Sequence, residues 1–314
     1  MSTPAAIRAR PAARPALAGV WIALFSSAVF GISGSFATSL LEAGWSSGAA
    51  VAARMAGAFL VLLVPTLLAL RGRWGSVAAN WKPIVLFGLF GVGVCQFAYF
   101  QAVARLDVGV ALLLEYMAPV LIVLALWVHT RRVPRVLTIA GTLVSLAGLV
   151  LVLDLAGTQR VDPVGILWGL GAAVGLAVYF FVTAKANETL PPLVLAAGGL
   201  LVGAVLMVLL GALRLLPFTA TFGPVGFAGF QAPWWVALGG LVVVATVLAY
   251  VSGIMAARAL GSKVASFISL TEVLFAVLWA WLLLGQMPAA IQLAGGVAIV
   301  CGVLLVRADE LKSP

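Results

Sequence analysis

Charged side chains are scarce in this sequence. Lysine, arginine, aspartate and glutamate make up 9% of the 314 residues, whereas hydrophobic residues make up 64% and the mean hydropathy is +1.21. A soluble domain has roughly a quarter charged residues, because its surface faces water. Apolar runs of about 20 residues, each enough to cross a hydrocarbon core of about 30 Å, recur along the chain. The composition therefore excludes a soluble globular protein and predicts an integral membrane protein.

Residues and motifs typical of enzymes are also few. The only histidine, His129, stands beside Arg131 at the end of an apolar run, which is typical of a solvated helix end. No GxxxxGK[ST] phosphate-binding loop occurs, which argues against nucleotide hydrolysis. Cys95 and Cys301 fall within apolar runs, where a cysteine acts as a small hydrophobic residue. We expect no metal site and no cofactor, and a membrane-embedded transferase is the weakest of the functional alternatives.

Uncharged apolar windows predict ten membrane-spanning helices, which we number as spans 1 to 10. They cover residues 17–40, 47–70, 83–104, 108–128, 134–154, 163–184, 191–213, 233–257, 263–284 and 289–306. Alternate connectors collect the basic residues and leave only Arg105, Arg160 and Arg214 on the other side. By the positive-inside rule, both termini are expected to be cytoplasmic. The net charge of +9 is thus a topology signal, and no nucleic-acid partner is expected.

The longest connector, residues 214–233, is predicted to face outward. It contains four phenylalanines among glycines and prolines: Phe218, Phe222, Phe227 and Phe230. Loops of this length are often functional. Two interpretations stay open, namely a lid over an external mouth and a passive loop.

The two halves of the chain resemble each other. A shift of 154 positions aligns Trp127 with Trp281, Pro134 with Pro288, Gly141 with Gly295 and Gly148 with Gly302, without a gap. This pattern indicates internal duplication. The predicted parts are a cytoplasmic tail at 1–16, a first five-helix repeat at 17–155, a second at 163–307 and a cytoplasmic tail at 308–314.

An odd number of helices in each repeat makes the second repeat enter the membrane from the opposite side. The predicted fold is therefore an all-α integral membrane protein, with ten transmembrane helices in two inverted five-helix repeats. Inverted repeats permit alternating access to a site near the membrane midplane.

Three charged residues lie deep within the predicted spans: Arg54, Glu115 and Glu272. A charge at the centre of a membrane helix costs about 2.5 to 3.5 kcal/mol on insertion scales, and such residues are by default functional. Arg54 and Glu115 have the same predicted depth, ~10 Å from the outer side at 1.5 Å per residue, so they are expected to be able to form an ion pair. Glu272 lies near the midplane and has no basic residue at its own depth. The trio is interpreted either as a binding site for a charged substrate or a proton, or as a structural ion pair between spans 2 and 4.

Uncharged side chains add a second set of candidates. They are Gln96 and Tyr99 on span 3, Tyr179 on span 6 and Tyr250 on span 8. Each of them alone is typical of an interhelical contact, whereas together they could orient a small polar solute. Pro119 follows Glu115 by one helical turn and is expected to kink span 4, because proline cannot donate the backbone hydrogen bond.

Three segments resemble a known family. VALLLEYMAPVL contains Glu115 and Pro119, VAARMAGAFLVL contains Arg54, and SFISLTEVLFAVLWAWLLLGQ contains Glu272. Together they resemble the EamA-type members of the drug/metabolite transporter superfamily, and most of all the threonine/homoserine exporters. The resemblance runs from about residue 17 to residue 306. In the last segment, Glu272 matches the glutamate of the family's Glu-Pro element, and Val273 stands in place of the proline.

The resemblance implies ten helices in two inverted repeats around a central cavity, and export of amino acids or related metabolites from the bacterial cytoplasm. Arg54, Glu115 with Pro119, and Glu272 match the family's motifs in spans 2, 4 and 9. We therefore expect a secondary active transporter and not an enzyme. The expected partners are a small-molecule substrate and the lipid bilayer, with protons as a candidate coupling ion and the chain as a monomer or homodimer.

The charges of the trio distinguish two kinds of substrate. Arg54 could face the carboxylate of a zwitterionic amino acid, with Glu115 or Glu272 facing its ammonium group. A lipophilic cation would use the carboxylates and the aromatic residues and would not need Arg54. Multidrug efflux of such cations is therefore the alternative function.

Overall fold

The computed structural model describes residues 13–106, 108–153, 162–185 and 190–311. Almost all of them are helical. The α-helices are α1 Ala13–Glu42, α2 Ser47–Ala69, α3 Trp74–Ala79, α4 Trp81–Leu86, α5 Cys95–Val103, α6 Val108–Glu115, α7 Ala118–Thr130, α8 Val136–Val152, α9 Pro163–Lys185, α10 Pro192–Ala212, α11 Trp234–Val242, α12 Ala249–Ser269, α13 Thr271–Leu284 and α14 Ala290–Leu311. Two segments, Phe87–Val94 and Val243–Leu248, are π-helical. Within the described ranges, the two strands β1 Pro224–Phe227 and β2 Phe230–Pro233 are the only departure from the predicted all-α class.

The apolar helical stretches lie near the predicted spans. Eight helical stretches are long and apolar enough to cross a membrane, and Val136–Val152 and Thr271–Leu284 are shorter apolar helices. Helix α14 continues to Leu311, into the segment predicted as a tail. Residues 1–12 of the predicted N-terminal tail and residues 312–314 lie outside the described residues.

A break in the helix lies between predicted spans 8 and 9. The apolar stretch Trp234–Ser269 includes Arg258 and Lys263, but its backbone leaves the helical region at Gly261, whose φ of 77° and ψ of 165° divide the stretch into two helices. These angles are accessible to glycine because it lacks a β-carbon. The break lies within the predicted connector 258–262, and the part of α12 that follows Gly261 belongs to predicted span 9.

The connectors gather at two ends of the bundle. At the end that we call the hairpin end, Trp45 Nε1 donates to the Thr221 carbonyl (2.5 Å) and the Ala228 amide donates to the Leu283 carbonyl (2.7 Å). At the opposite end, the terminus end, Lys263 Nζ pairs with Glu310 at 2.5 Å. Alternate connectors thus lie at opposite ends, as they must when helices run up and down in turn.

The long connector before α11 is folded. Strands β1 and β2 form an antiparallel hairpin in which Phe227 faces Phe230 across the turn. Val225 is fully buried, and Phe227 packs edge-on against Phe36 of α1 with ring centroids 6.1 Å apart. The hairpin is therefore packed onto the bundle, which disfavours the passive-loop interpretation, and its action as a lid stays a prediction.

Helices α8 and α14 pack against each other through glycines. A β-carbon on Gly141 would lie 2.6 Å from the Gly302 carbonyl oxygen, and one on Gly148 would lie 2.6 Å from that of Gly295. β-Carbons on Gly302 and Gly295 would lie equally close to the carbonyl oxygens of Gly141 and Gly148. The two helices run antiparallel, since the earlier glycine of α8 pairs with the later glycine of α14. Small residues allow such backbone contact between membrane helices. The 154-residue shift carries one of these contacts onto the other.

A valine at Gly148 should destabilise the protein strongly. Its β-carbon would collide with backbone atoms of α14, which cannot rotate away as a flexible side chain can. Overpacking of this kind costs about 1 to 3 kcal/mol or more, so Gly148→Val should lower the thermal unfolding midpoint measured in detergent. The matched control is Gly239→Val in α11, where nothing lies within 4 Å of an added β-carbon. Equal midpoints for the two variants would contradict the α8–α14 contact.

Candidate functional site

Two membrane-spanning stretches are interrupted near their middle. In the first half, α6 ends at Glu115 and α7 begins at Ala118. In the second half, α12 ends at Ser269 and α13 begins at Thr271. The 154-residue shift carries Glu115 onto Ser269, so the interruptions occupy equivalent positions. Irregular backbone at membrane depth is tolerated only inside protein or along a cavity. Paired irregularities in the two halves of a transporter point to its binding site.

The π-helical segments also occupy equivalent positions. The same shift carries Phe87–Val94 onto residues 241–248, which contain the second π-helical segment, Val243–Leu248. Segments of this kind occur frequently at functional sites. The fully buried ring of Phe87 lies 5.4 Å from the ring of Tyr179 and 6.3 Å from that of Tyr250. The irregular parts of both halves therefore converge on one region.

Two carboxylates flank the helix interruptions. Glu115 is the last residue of α6, and its Oε1 accepts a hydrogen bond from Cys95 Sγ at 3.5 Å. Glu272 is the second residue of α13, beside the hydroxyl of Tyr116. Both are half-buried, and their charges act on each other. Helix α1 covers the backbone of Glu272 closely, since a β-carbon on Gly31 would lie 2.9 Å from the Glu272 carbonyl oxygen.

The third charged residue, Arg54, lies in the same region. It is buried on α2, and its guanidinium lies beside the Tyr250 hydroxyl. Its charge acts on both Glu115 and Glu272. Its Nε nevertheless has no hydrogen-bond partner. An unpartnered donor in a buried site is costly, so it points to a ligand.

The expected ion pair between Arg54 and Glu115 does not form. In the described part of the chain, the ion pairs are those of Lys263 with Asp309 and Glu310, at the terminus end. The prediction was wrong because equal depth fixes only one of the three coordinates that separate two side chains. Arg54 turns toward Tyr250, and Glu115 turns toward Cys95.

Tyrosine rings form one wall of this region. The rings of Tyr179 and Tyr250 lie 5.9 Å apart at 76°, and Phe30 of α1 lies 5.1 Å from Tyr250. The Tyr179 hydroxyl fits against Gly253, where a β-carbon would lie only 2.5 Å from it. Tyr99 on α5 lies close enough to Glu115 for its hydroxyl group to interact electrostatically with the carboxylate. The wall is therefore aromatic, with hydroxyl groups along it.

The structure thus brings together Arg54, Tyr99, Glu115, Tyr179, Tyr250 and Glu272. Gln96 is half-buried on α5 next to Cys95, and its side chain forms no hydrogen bond within the described residues. Pro119 is the second residue of α7, so the chain is interrupted just before it instead of kinking around it.

Sequence reasoning missed two residues of the site. Cys95, interpreted as a small hydrophobic residue, has its Sγ within hydrogen-bonding distance of Glu115 Oε1 (3.5 Å) and of the Ala172 carbonyl (3.4 Å). Its spacing of four from Tyr99 puts the two on one helix face, a signal that was available. Tyr116 directly follows Glu115 and meets Glu272 only because the chain turns at this point.

The helix ends give the two carboxylates different surroundings. Glu115 lies at the carboxyl end of α6, where carbonyl groups carry partial negative charge, whereas Glu272 lies at the amino end of α13. A cation is therefore favoured beside Glu115. No cluster of three His, Cys, Asp or Glu side chains that could hold a metal ion occurs in the described ranges.

Comparisons with known proteins place this chain in a family. The model of the EamA-like transporter family matches the chain twice, over residues 17–154 and 163–308. The chain is 26% identical over 242 residues to the uncharacterized inner membrane transporter YicL of Salmonella typhimurium, with 76% of this chain and 77% of YicL covered. It is 29% identical over 222 residues to an uncharacterized transporter of Archaeoglobus fulgidus, with 69% and 75% covered.

One solved crystal structure shares the fold. It superposes with a TM-score of 0.71 over 96% of this chain and 100% of the other, at 22% identity. The family matches cover nearly all of the helical bundle and both interrupted helices. The chain therefore belongs to the EamA-like transporter family and is a multi-pass membrane transporter.

Proposed function

We propose that this protein is a secondary active transporter that exports an amino acid, or a close analogue of one, by alternating access. The proposed moving parts are two inverted repeats, residues 17–155 and 163–307. The terminus end of the bundle is the cytoplasmic end, because the connectors there hold most of the basic residues. The amino-acid assignment also agrees with the resemblance of the three motif segments to threonine/homoserine exporters.

Three pairs of equivalent features support the inverted arrangement. Helices α8 and α14 are the fifth helices of the two halves, and they run antiparallel through contacts that the 154-residue shift interchanges. The helix interruptions and the π-helical segments are also equivalent. Equivalent halves of opposite direction can exchange conformations, which exposes one central site to either side in turn.

The proposal that the substrate is an amino acid rests on Arg54, whose side chain is only partly hydrogen-bonded. Its Nε lacks a hydrogen-bond partner, and its charge acts on two carboxylates that form no ion pair with it. A zwitterion satisfies both signs, with its carboxylate on Arg54 and its ammonium group at Glu115 and the carboxyl end of α6. The remaining carboxylate, Glu272, is then the candidate for binding the coupling proton.

A transport assay tests the amino-acid assignment. Purified protein in liposomes is loaded with single radiolabelled amino acids, and release is followed with and without a proton gradient. At least one zwitterionic amino acid should leave the liposomes faster than from protein-free liposomes, and the gradient should change that rate. Failure of every amino acid in the panel would contradict the assignment.

Efflux of lipophilic cations remains the second candidate function. The aromatic wall of Phe30, Phe87, Tyr179 and Tyr250 beside two carboxylates favours it, since cations bind aromatic faces. The same liposomes loaded with a fluorescent lipophilic cation decide between the two. Release of the cation that does not depend on Arg54 would favour this alternative.

A further inference from the structure

A groove of about 580 Å³ opens on the outer surface of the bundle, at the terminus end. It lies between α4 and the last turns of α9, away from the carboxylates of the central site. Several of its apolar lining residues are exposed, among them Trp81, Leu86 and Phe90. We propose that this groove binds one anionic phospholipid, with the headgroup phosphate between Lys82 and Lys185 and an acyl chain along the groove.

The groove exists because two helices diverge. Near the central site they touch, since a β-carbon on Gly91 would lie 3.0 Å from the Tyr179 Cα and one on Gly175 would lie 2.7 Å from the Cys95 Cβ. Toward the terminus end, α4 makes only sparse contacts with α9. Side chains such as those of Leu86 and Val182 line the resulting gap without filling it.

The groove has the chemistry of a lipid with a negative headgroup. Its lining is apolar except at one end, where the two ammonium groups of Lys82 and Lys185 lie. No acidic side chain is present among the described residues that line it. Each lysine stands near an aromatic ring, Lys82 Nζ at 5.8 Å from the Trp81 centroid and Lys185 Nζ at 5.9 Å from that of Phe181. Aromatic and basic side chains together are typical of the level of the headgroups.

The positive charge at the end of the groove favours an anionic phospholipid over other molecules that an apolar groove could bind. A zwitterionic phospholipid would bring its own cationic group toward two lysines. A second copy of this chain, docked through the same face, would bring two further lysines toward them. An anionic headgroup neutralises both, and basic pockets between membrane helices on the cytoplasmic side are known to take such headgroups.

Native mass spectrometry of the purified full chain in detergent tests the site. Phosphatidylglycerol and phosphatidylcholine with identical acyl chains are added separately, and the lipid-bound fraction is measured. The wild-type protein should prefer phosphatidylglycerol, and the double variant Lys82→Gln/Lys185→Gln should bind it about 30-fold more weakly. The control Arg132→Gln/Arg135→Gln removes two exposed charges from another connector and should bind as the wild type does.

Two further experiments distinguish binding of an intact lipid from binding of its headgroup alone. Glycerol phosphate, the headgroup without acyl chains, should not displace phosphatidylglycerol at the same concentration. Val182→Trp, which fills the groove and keeps both lysines, should weaken phosphatidylglycerol binding, and unfolding midpoints equal to wild type show that the variants are folded. Equal binding of the two lipids, an equal loss in the control variant, displacement by glycerol phosphate, or a dimer that the lysine variant dissociates would each overturn the proposal.

Discussion

Arg54→Gln is expected to remove most amino-acid export. Glutamine keeps polar atoms at the position but loses the positive charge that faces the substrate carboxylate. Truncating one partner of a buried, hydrogen-bonded charge pair costs about 2 to 5 kcal/mol, so transport at low substrate concentration should fall by roughly 30-fold or more. The measurement is the initial rate from proteoliposomes across a range of substrate concentrations, in which the loss should come mainly from a higher KM.

Two variants make the Arg54 result specific. Arg54→Lys keeps the charge but loses the planar fork that binds a carboxylate through two hydrogen bonds, so it should restore only part of the rate. Arg71→Gln changes an exposed arginine just beyond α2 and should transport as the wild type does. Full amino-acid export by a folded Arg54→Gln protein would show that the guanidinium does not bind the substrate.

Glu272→Gln is expected to abolish transport driven by a proton gradient. Glutamine has nearly the same shape and can still contact the Tyr116 hydroxyl, but it cannot bind and release a proton in the transport cycle. Gradient-driven release should fall to the level of protein-free liposomes. Exchange of labelled for unlabelled substrate, which needs no net proton movement, should continue.

The contrast between the two assays identifies the role of Glu272. Loss of both activities in a folded protein would mean that Glu272 binds the substrate and not the coupling ion. Intact gradient-driven transport would remove it from the mechanism. The matched control is Glu42→Gln, which neutralises an exposed carboxylate at the end of α1 and should change neither assay.

Hydropathy and charge bias predicted the helical architecture well. Each predicted span corresponds to an apolar helical stretch, because a bilayer demands about 20 apolar residues whatever their neighbours are. The boundary between spans 8 and 9 was predicted to within a few residues, since Arg258 and Lys263 stand on either side of the break at Gly261. The exact residue at which the chain bends is decided by local backbone conformation, which hydropathy does not measure.

The helix interruptions could not be predicted in both halves. Pro119 is a local signal for the first one, but Val273 occupies the equivalent position in the second, where nothing in the sequence announces a break. The sequence gives no signal for the π-helical segments either, because their residues are as apolar as those of a regular helix. Packing against the other helices produces these features, and which helices pack together cannot be derived from the pattern of a single sequence.

The candidate site was predictable in its charges and less so in its contacts. A charge in an apolar span is conspicuous, and Arg54, Glu115 and Glu272 do lie near one another. Their pairing was not predictable, because depth along a helix says nothing of the distance between helices. Cys95 and Tyr116 are ordinary residues for a membrane helix, so only the folded structure assigns them to the site.

The β-hairpin constrains how the bundle can open at its end. It is encoded in the second half, but the loop that leads into it is bonded to the first half. Trp45 Nε1 donates to the Thr221 carbonyl, Thr221 Oγ1 donates to the Ala43 carbonyl, and the Thr219 amide donates to Ser46 Oγ. Toward α13 it has the single bond from the Ala228 amide to the Leu283 carbonyl. Each hydrogen bond contributes about 0.5 to 1.5 kcal/mol. Separating the hairpin from α13 therefore costs less free energy than separating it and its leading loop from α1 and α2. If the proposed halves separate, we expect them to part between the hairpin and α13. The hairpin would then move with the first half, although its sequence belongs to the second.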